Sequence, residues 1–137
     1  MCGLYFNKSA AAKVSEYHVH IYFSEDGADR WMAEMLANRL VQAFPGKVTG
    51  GHAVGKVGPH TRPNIEVDIA PEAFGEVLKT LQLNSQGLSI LVHPRTGDEV
   101  FDHLSAALWL GQPVPFNEAF FDRLMNRAAN GPKPPRR

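Results

Sequence analysis

Apolar and polar residues alternate over residues 17–23, a pattern that predicts the first β-strand of the fold. The apolar set on one face consists of Tyr17, Val19, Ile21 and Phe23. The polar set on the other face consists of His18, His20 and Tyr22. Because successive strand residues point to opposite sides, the apolar set should pack on the core and both histidines should point away from it.

Periodic segments further along the chain complete the pattern of a familiar fold class. Apolar residues at helical spacing alternate with short strand-like runs, and Pro or Gly residues separate them. In chain order, these segments are a helix over 32–44 that stops at Pro45-Gly46, an irregular strand over 47–60 bulged at Gly50-Gly51, a strand over 64–69, a helix over 74–81 introduced by Pro71, and a strand over 88–92. The order strand, helix, strand, strand, helix, strand predicts an α+β, ferredoxin-like βαββαβ fold with an antiparallel sheet.

The length of 137 residues and the 44% hydrophobic content predict a single domain, 1–137, with one core. Two C-terminal helices are predicted beyond the last strand, over 103–110 and 118–128. We expect an ordered core of about residues 16–128 and a disordered, Pro- and Arg-rich tail over 130–137.

Charge and cysteine content argue against several functions. The 14 Lys and Arg residues balance 14 Asp and Glu residues, with no basic cluster before the tail, so no nucleic-acid partner is predicted. Cys2, the single cysteine, rules out an intramolecular disulfide and a cysteine-based zinc cluster. No apolar run approaches the length of a membrane span and no secretory signal is recognisable, so we predict a cytoplasmic protein without a membrane partner.

The polar face of the predicted sheet gathers titratable residues. In this fold the first strand lies between the third and the fourth, and both helices cover one side of the sheet. Strand parity then places on the other side His18, His20, Glu66, Asp68 and His93. Antiparallel pairing should bring His18 near His93 and Asp68. Glu66 should lie nearer His20.

The residue types on this face indicate a metal site. Imidazole and carboxylate ligands together suit non-haem Fe(II) and leave positions open for substrate, and zinc accepts the same ligands as a substitute. We predict metal ligands at His18, His20, His93 and Glu66, with Asp68 left as an ordinary solvated residue. His20 and His93 form the expected pair, and either His18 or Glu66 completes the site. The alternative is a half-solvated sheet face, which often carries histidine without binding anything.

Two further histidines and two arginines lie in loops or at the ends of elements. His60 stands in a Pro-Gly turn, and His103 begins the segment after the last strand. Either histidine is predicted to act as a general acid or base for a substrate hydroxyl, or else to be an ordinary solvated side chain. Arg62 and Arg95 are predicted to bind a substrate carboxylate, with a plain surface charge as the alternative. His52 has no partner in this scheme and is predicted to be structural.

Three stretches of the chain resemble the DOPA 4,5-dioxygenase family. The first two are Tyr17-His18-Val19-His20-Ile21-Tyr22-Phe23 and Val57-Gly58-Pro59-His60. The most specific is Leu88-Ser89-Ile90-Leu91-Val92-His93-Pro94-Arg95-Thr96-Gly97-Asp98, followed by Asp102-His103 and Ala107-Leu108-Trp109-Leu110-Gly111. Their order and spacing cover roughly residues 16–116.

The resemblance implies a ferredoxin-like homodimer that cleaves the catechol ring of DOPA in the extradiol manner, with O2 and non-haem Fe(II). It carries over as functional residues His18, His20, His60, His93 and His103. Glu66 is not part of the resemblance and rests on strand parity alone. The sequence does not distinguish DOPA from other catechols such as caffeate or protocatechuate.

Two other classes remain open from the sequence. A dimeric ferredoxin-like protein would bind a small molecule or a metal without oxygenase activity and would use the outer sheet face as its dimer interface. A zinc- or iron-dependent hydrolase would show metal-dependent turnover without O2 uptake.

Overall fold

The computed structural model describes residues 6–130, which form one five-stranded sheet with helices packed on both of its faces. The elements, in chain order, are β1 (Glu16–Tyr22), α1 (Arg30–Ala43), β2 (Val48–Val54), β3 (Asn64–Ile69), α2 (Phe74–Asn84), β4 (Ile90–Arg95), α3 (Glu99–His103), β5 (Leu108–Leu110) and α4 (Glu118–Asn130). Short 3-10 helices over Lys8–Lys13 and Pro71–Ala73 precede β1 and α2. The first of these lies in a stretch where the sequence predicted no element.

The strand order is β2-β3-β1-β4-β5, and every neighbouring pair is antiparallel. The predicted central position of β1 is therefore confirmed. His18 lies opposite Asp68 on β3 and His93 on β4, while His20 lies opposite Glu66. This is the predicted register, because a slip of one residue would turn the apolar face of β1 away from the core.

The core fills the space between the sheet and helices α1 and α2. Val19 and Ile21 of β1 are fully buried there, together with Leu40 of α1 and Leu81 of α2. Burial of apolar surface stabilises this layer by about 25 cal/mol per Å² removed from water. The polar alternates of β1, β3 and β4 are left on the opposite face of the sheet, where the predicted site residues lie.

The bulge predicted in the glycine-rich strand is confirmed. The pairing of β2 with β3 shifts between Gly50 and His52, and Gly50 and Gly51 have φ angles of +94° and +91°. A Cβ atom at Gly50 would lie 3.0 Å from the Glu66 carbonyl oxygen. Glycine is therefore required both by the left-handed backbone and by the close approach of β3.

The helix predicted over 103–110 is wrong. Helix α3 ends at His103, and residues 108–110 instead form β5, in which Leu110 lies opposite Ile90 and Trp109 opposite Leu91. Without β5, strand β4 would be an edge with unpaired backbone groups, and this pairing outweighs the local helical spacing. The helix predicted over 118–128 is confirmed as α4.

The segment that follows β4 covers part of the outer face of the sheet. Tyr22 and Leu91 are buried there against Val114, and the Tyr22 ring stacks on Trp109 with centroids 5.8 Å apart. The polar face of β1 therefore borders a second, smaller apolar cluster at the Tyr22 end. The site residues lie between this cluster and solvent.

The predicted disordered tail cannot be compared over residues 131–137, which lie outside the described part of the chain, whereas Asn130 is the last residue of α4. Among residues 6–130, no helix is both long enough and apolar enough to cross a membrane.

Candidate functional site

Four buried histidines meet on the outer face of the sheet. They are His20 on β1, His60 in the loop between β2 and β3, His93 on β4 and His103 at the end of α3. Their exposed fractions are 4%, 7%, 3% and 6%. The ring centroids lie 4.2 Å apart for His20 and His60, 5.3 Å for His20 and His93, and 4.0 Å for His93 and His103. Tertiary structure thus brings together side chains from four separate segments.

The loop that carries His60 is fastened to the C-terminal segment. The Asn117 backbone N–H donates to the Pro59 carbonyl over 2.8 Å, and the Thr61 hydroxyl donates to the Pro115 carbonyl over 2.6 Å. Gly58, with a φ of +61°, permits the tight turn just before His60. These contacts fix the His60 ring beside His20.

Helix α3 is fixed by its acidic residues so that His103 faces the same place. Asp98 caps the helix by accepting from the Phe101 backbone N–H. The buried Asp102 carboxylate accepts from the Thr96 backbone N–H over 2.9 Å and from the Thr96 hydroxyl over 2.6 Å. The helix is thereby bound to the loop after β4, and the His103 ring lies against the His93 ring at an interplanar angle of 36°.

Three of the four rings donate an Nδ1 hydrogen to an oxygen that can only accept. The acceptors are Asn64 Oδ1 for His20 at 2.9 Å, the Pro94 carbonyl for His93 at 2.9 Å and the Glu99 carbonyl for His103 at 2.8 Å. A neutral imidazole carries one hydrogen, so each of these rings keeps a lone pair on Nε2. Metal-binding histidines have this arrangement, in which an oxygen partner fixes the tautomer and orients the ring.

The Nε2 atoms of His20 and His93 lie only 3.2 Å apart. Because both Nδ1 hydrogens are already donated, two neutral rings bring two lone pairs into contact. A cation between or beside them relieves that repulsion, as would a hydrogen added to one ring. The donor set therefore fits a metal ion that accepts imidazole nitrogen.

Burial lowers the pKa of all four histidines and keeps them neutral. The pKa of His20 lies well below its usual value, first because of burial and then because of the nearby charge of His60. Burial is also the main cause for His93, whose pKa falls to about 3, and for His60, whose pKa falls to about 4. The pKa of His103 is lowered by burial against opposing contributions from Glu99 and Asp102. The neutral form is the one that ligates metals.

His18 differs from the other four site histidines in having carboxylates on both ring nitrogens. Its Nδ1 lies 3.2 Å from Glu66 Oε1, and its Nε2 lies 3.1 Å from Glu16 Oε1 and 3.5 Å from Asp68 Oδ1. Although Glu66 lies opposite His20 in the strand register, its carboxylate reaches His18. Asp68 Oδ1 is buried without a hydrogen-bond partner among the described residues, and burial raises the pKa of this carboxyl.

Among residues 6–130, potential ligand atoms form three sets, in each of which all atoms lie within 4.8 Å of one another. The sets are His18, His20 and His93; His20, His60 and His103; and Glu16, His18 and Asp68. His20 belongs to both all-histidine sets. The first set contains three of the four predicted metal ligands, and the second contains both predicted catalytic histidines.

The histidines open onto a cavity of about 530 Å³. Small-molecule sites are typically about 300–1,000 Å³, so the cavity has room for a single aromatic molecule. Its polar wall includes His18, His20, Glu66 and His93, and its apolar wall is formed by Val54, Val57, Pro59 and Phe120. A cavity lined by both apolar and polar side chains suits a flat ring that bears hydroxyl groups.

Of the two predicted substrate-binding arginines, Arg95 lines the cavity and Arg62 does not. The Arg95 guanidinium donates to Glu16 over 2.9 Å, which holds the pKa of Glu16 below its usual value. Arg62 is exposed. Roles for both side chains in binding a carboxylate stay predictions.

Two residues of the site were not singled out from the sequence. Asn64 is fully buried, and its amide nitrogen donates to the Arg62 carbonyl over 3.3 Å, which turns Oδ1 toward His20. The Tyr22 hydroxyl lies 2.6 Å from His60 Nδ1. The alternation of side chains along a strand could have identified both residues. Asn64 lies on the same strand face as Glu66, and Tyr22 lies on the same strand face as His20.

The profile of the Dopa 4,5-dioxygenase family matches residues 17–120. The chain belongs to this family, and the match includes every histidine of the site. The resemblance found in the sequence motifs is therefore confirmed.

Two curated fungal proteins are similar to this chain. A DOPA 4,5-dioxygenase of Amanita muscaria is 32% identical over 114 residues, which cover 79% of this chain and 50% of that protein. An uncharacterised 21.2 kDa protein of Botryotinia fuckeliana is 32% identical over 122 residues, which cover 82% of this chain and 67% of that protein. The chain thus spans half the length of the Amanita relative.

A solved structure shares the fold. The crystal structure of a candidate dioxygenase from Nostoc punctiforme superposes with a TM-score of 0.68 at 33% identity, covering 87% of this chain and 99% of the other. The ferredoxin-like α+β fold predicted from the order of elements agrees with that match.

Proposed function

We propose that the protein is a non-haem Fe(II)-dependent extradiol dioxygenase that opens the ring of a catechol such as DOPA with O2. The observation that carries this proposal is the pair of Nε2 atoms of His20 and His93, 3.2 Å apart in a cavity that accommodates an aromatic ring. Extradiol cleavage breaks the ring bond between one hydroxyl-bearing carbon and the adjacent carbon that bears no hydroxyl group. The Amanita relative is a DOPA 4,5-dioxygenase, which supports the choice of a catechol.

His20 and His93 would hold the metal, and His18 or Glu66 would complete the site. His18 and Glu66, the two candidates for the third ligand, both line the cavity and contact each other. The one that binds the metal would give up this contact. The mixture of imidazole and carboxylate suits Fe(II), and Zn(II) would occupy the same ligands without redox activity. When bound, the iron would bring catechol and O2 together and supply the electron exchange that ring opening requires.

The remaining site residues would bind the substrate and move its protons. His60 and His103 line the cavity and are neutral, so each is able to serve in proton transfer at a catechol hydroxyl. Arg95 would bind an acidic substituent of the substrate, and Arg62 is the second candidate for that role. The apolar wall would hold the ring and exclude water from it. We expect a cytoplasmic homodimer whose partners are the catechol and O2.

Oxygen uptake tests the proposal directly. The protein would be freed of metal, loaded anaerobically with Fe(II) and mixed with DOPA, caffeate, protocatechuate or catechol before air is admitted. We expect O2 consumption in step with a yellow ring-opened product for at least one of these compounds, and none with Zn(II)-loaded protein. Binding of a catechol without O2 consumption would favour the non-enzymatic binder. Turnover with Zn(II) and without O2 would favour a hydrolase.

A further inference from the structure

The two histidines proposed for proton transfer differ in the partner of Nδ1. His103 Nδ1 lies 2.8 Å from the Glu99 carbonyl oxygen. A carbonyl oxygen has no hydrogen, so the ring must donate in this bond. In the neutral ring, Nε2 of His103 is therefore the atom with the lone pair.

His60 Nδ1 instead lies 2.6 Å from the Tyr22 hydroxyl, a group that can either donate or accept. Tyr22 is 2% exposed and packs with Leu91 and Val114. Among residues 6–130, the hydrogen-bond partner of the Tyr22 hydroxyl is His60 Nδ1. If the ring donated, the hydroxyl hydrogen would be buried without an acceptor, which is unfavourable because the hydrogen would lose its bond to water and gain none in return. Donation by Tyr22 avoids this cost and leaves the His60 hydrogen on Nε2.

We propose that Tyr22 is a positioning residue that holds His60 in the tautomer with hydrogen on Nε2, so that His60 presents a donor and His103 an acceptor to the cavity. This inference rests on the proposed function, and it assigns the two histidines to opposite roles. His103 is the base and His60 the donor. Both residues line the cavity, and the rings are 5.9 Å apart between centroids, a spacing that lets both reach one substrate.

The proton balance is simple. A catechol O–H bond breaks, the oxygen keeps the electron pair, and the proton forms a new N–H bond at His103 Nε2. The His60 N–H remains intact in that step and donates a hydrogen bond to an oxygen of the bound substrate. An Nε2 that bears hydrogen has no lone pair for a metal. The set of His20, His60 and His103 is then not the metal site, and of the two all-histidine sets this leaves that of His18, His20 and His93.

Nuclear magnetic resonance of the ring nitrogens tests the tautomers without any enzymatic assay. Metal-free, 15N-labelled protein would be recorded with long-range 1H–15N spectra, and the signals assigned with His60→Gln and His103→Gln. We expect hydrogen on Nε2 of His60 and on Nδ1 of His103. In Tyr22→Phe, His60 should shift toward the other tautomer. Tyr17→Phe, on the opposite face of the same strand, is the matched control and should change neither ring.

Metal affinity gives an independent readout. With Zn(II) as the probe and a coloured chelator as competitor, Tyr22→Phe and His60→Gln should bind within about twofold of the unchanged protein. His20→Gln should weaken Zn(II) binding by about 100-fold or more, because His20 is itself a proposed metal ligand. In oxygen uptake with Fe(II), Tyr22→Phe should lower kcat about tenfold with little change in KM.

Two results would overturn the inference. One is a His60 ring with hydrogen on Nδ1 in the unchanged protein, and the other is a His60→Gln variant that binds Zn(II) as weakly as His20→Gln. If no catechol supports O2 uptake at all, the proposed function fails. The spectra and the Zn(II) titrations would still decide the tautomers and the ligand set in that case.

Discussion

His20 and His93 bring their Nε2 atoms to within 3.2 Å of each other across β1 and β4. The strand register does not pair them directly, because His93 lies opposite His18 and His20 lies opposite Leu91. They are diagonal neighbours whose rings stack nearly parallel, with an interplanar angle of 9°. Since Asn64 and Pro94 hold the Nδ1 hydrogens, the contact brings together two lone pairs. A metal ion that accepts both Nε2 lone pairs would stabilise this close contact.

Replacement of His20 by Ala should abolish both metal binding and turnover, because His20 belongs to each of the two all-histidine ligand sets. Metal content after dialysis and O2 uptake with a catechol measure the two effects. His52→Ala is the matched control, since His52 is exposed on β2 outside the cavity wall. Turnover that persists in His20→Ala would refute the assignment of the site.

Replacement of Asn64 by Leu should weaken metal binding by roughly 10–100-fold while the protein remains folded. The change keeps the number and branching of the side-chain heavy atoms but removes the oxygen that accepts from His20 Nδ1, so the ring is free to adopt the tautomer with hydrogen on Nε2. Asn64→Asp retains an acceptor and should bind metal at least as tightly as the unchanged protein. Competition titration with Zn(II) measures both variants. Equal weakening in both would mean that Asn64 acts only through packing.

The third metal ligand can be found by paired substitutions at His18 and Glu66, which contact each other over 3.2 Å. Glu66→Gln and His18→Gln each retain size but alter the donor. We expect the variant that lacks the true ligand to lose about 10-fold or more in Zn(II) affinity, whereas the other should stay within about threefold. The Co(II) absorption spectrum should also change only in the first variant. Asp68→Asn serves as the control, and unchanged affinity in both test variants would exclude both residues as ligands.

Stability of the metal-free protein should fall as the pH decreases below about 6.5. An exposed histidine in the unfolded chain has a pKa of about 6.5, whereas burial lowers the pKa of His93 to about 3 and of His60 to about 4 in the folded protein. The unfolded state therefore binds more protons between these values. Stability from these groups is fully present above about pH 6.5 and is lost progressively as the pH falls toward 3.

Between pH 7 and pH 5 the loss should be about 2 kcal/mol for each histidine that stays neutral when folded. Urea unfolding in the presence of a chelator measures it at the two pH values. A His93→Gln variant should show a smaller difference, because it lacks one of the titrating rings. A stability that does not change over this range would contradict the burial of neutral imidazoles.

Substitution of Gly111 by Ala should destabilise the protein by about 1–3 kcal/mol. Gly111 has a φ of +71°, and a Cβ atom there would lie 2.6 Å from the Leu88 carbonyl oxygen. The change would displace the end of β5 next to Trp109, which stacks on Tyr22. Gly55→Ala is the control, because its Cβ would meet nothing within 4 Å. Thermal unfolding compares the two, and equal melting temperatures would contradict the expectation.

The sequence determined the βαββαβ core, the central place of β1 and the face on which the histidines lie. Side-chain alternation in β1 and β3 is a local property, and burial of the apolar alternates excludes a slip of the register by one residue. Tertiary structure decided what local patterns do not encode. Residues 108–110 became a strand because β4 offered a free edge, and Asn64 and Tyr22 became partners of His20 and His60 because loops and side chains folded toward them. Which nitrogen of each ring carries the hydrogen depends on such contacts between distant segments, so that part of the chemistry follows only from the folded chain.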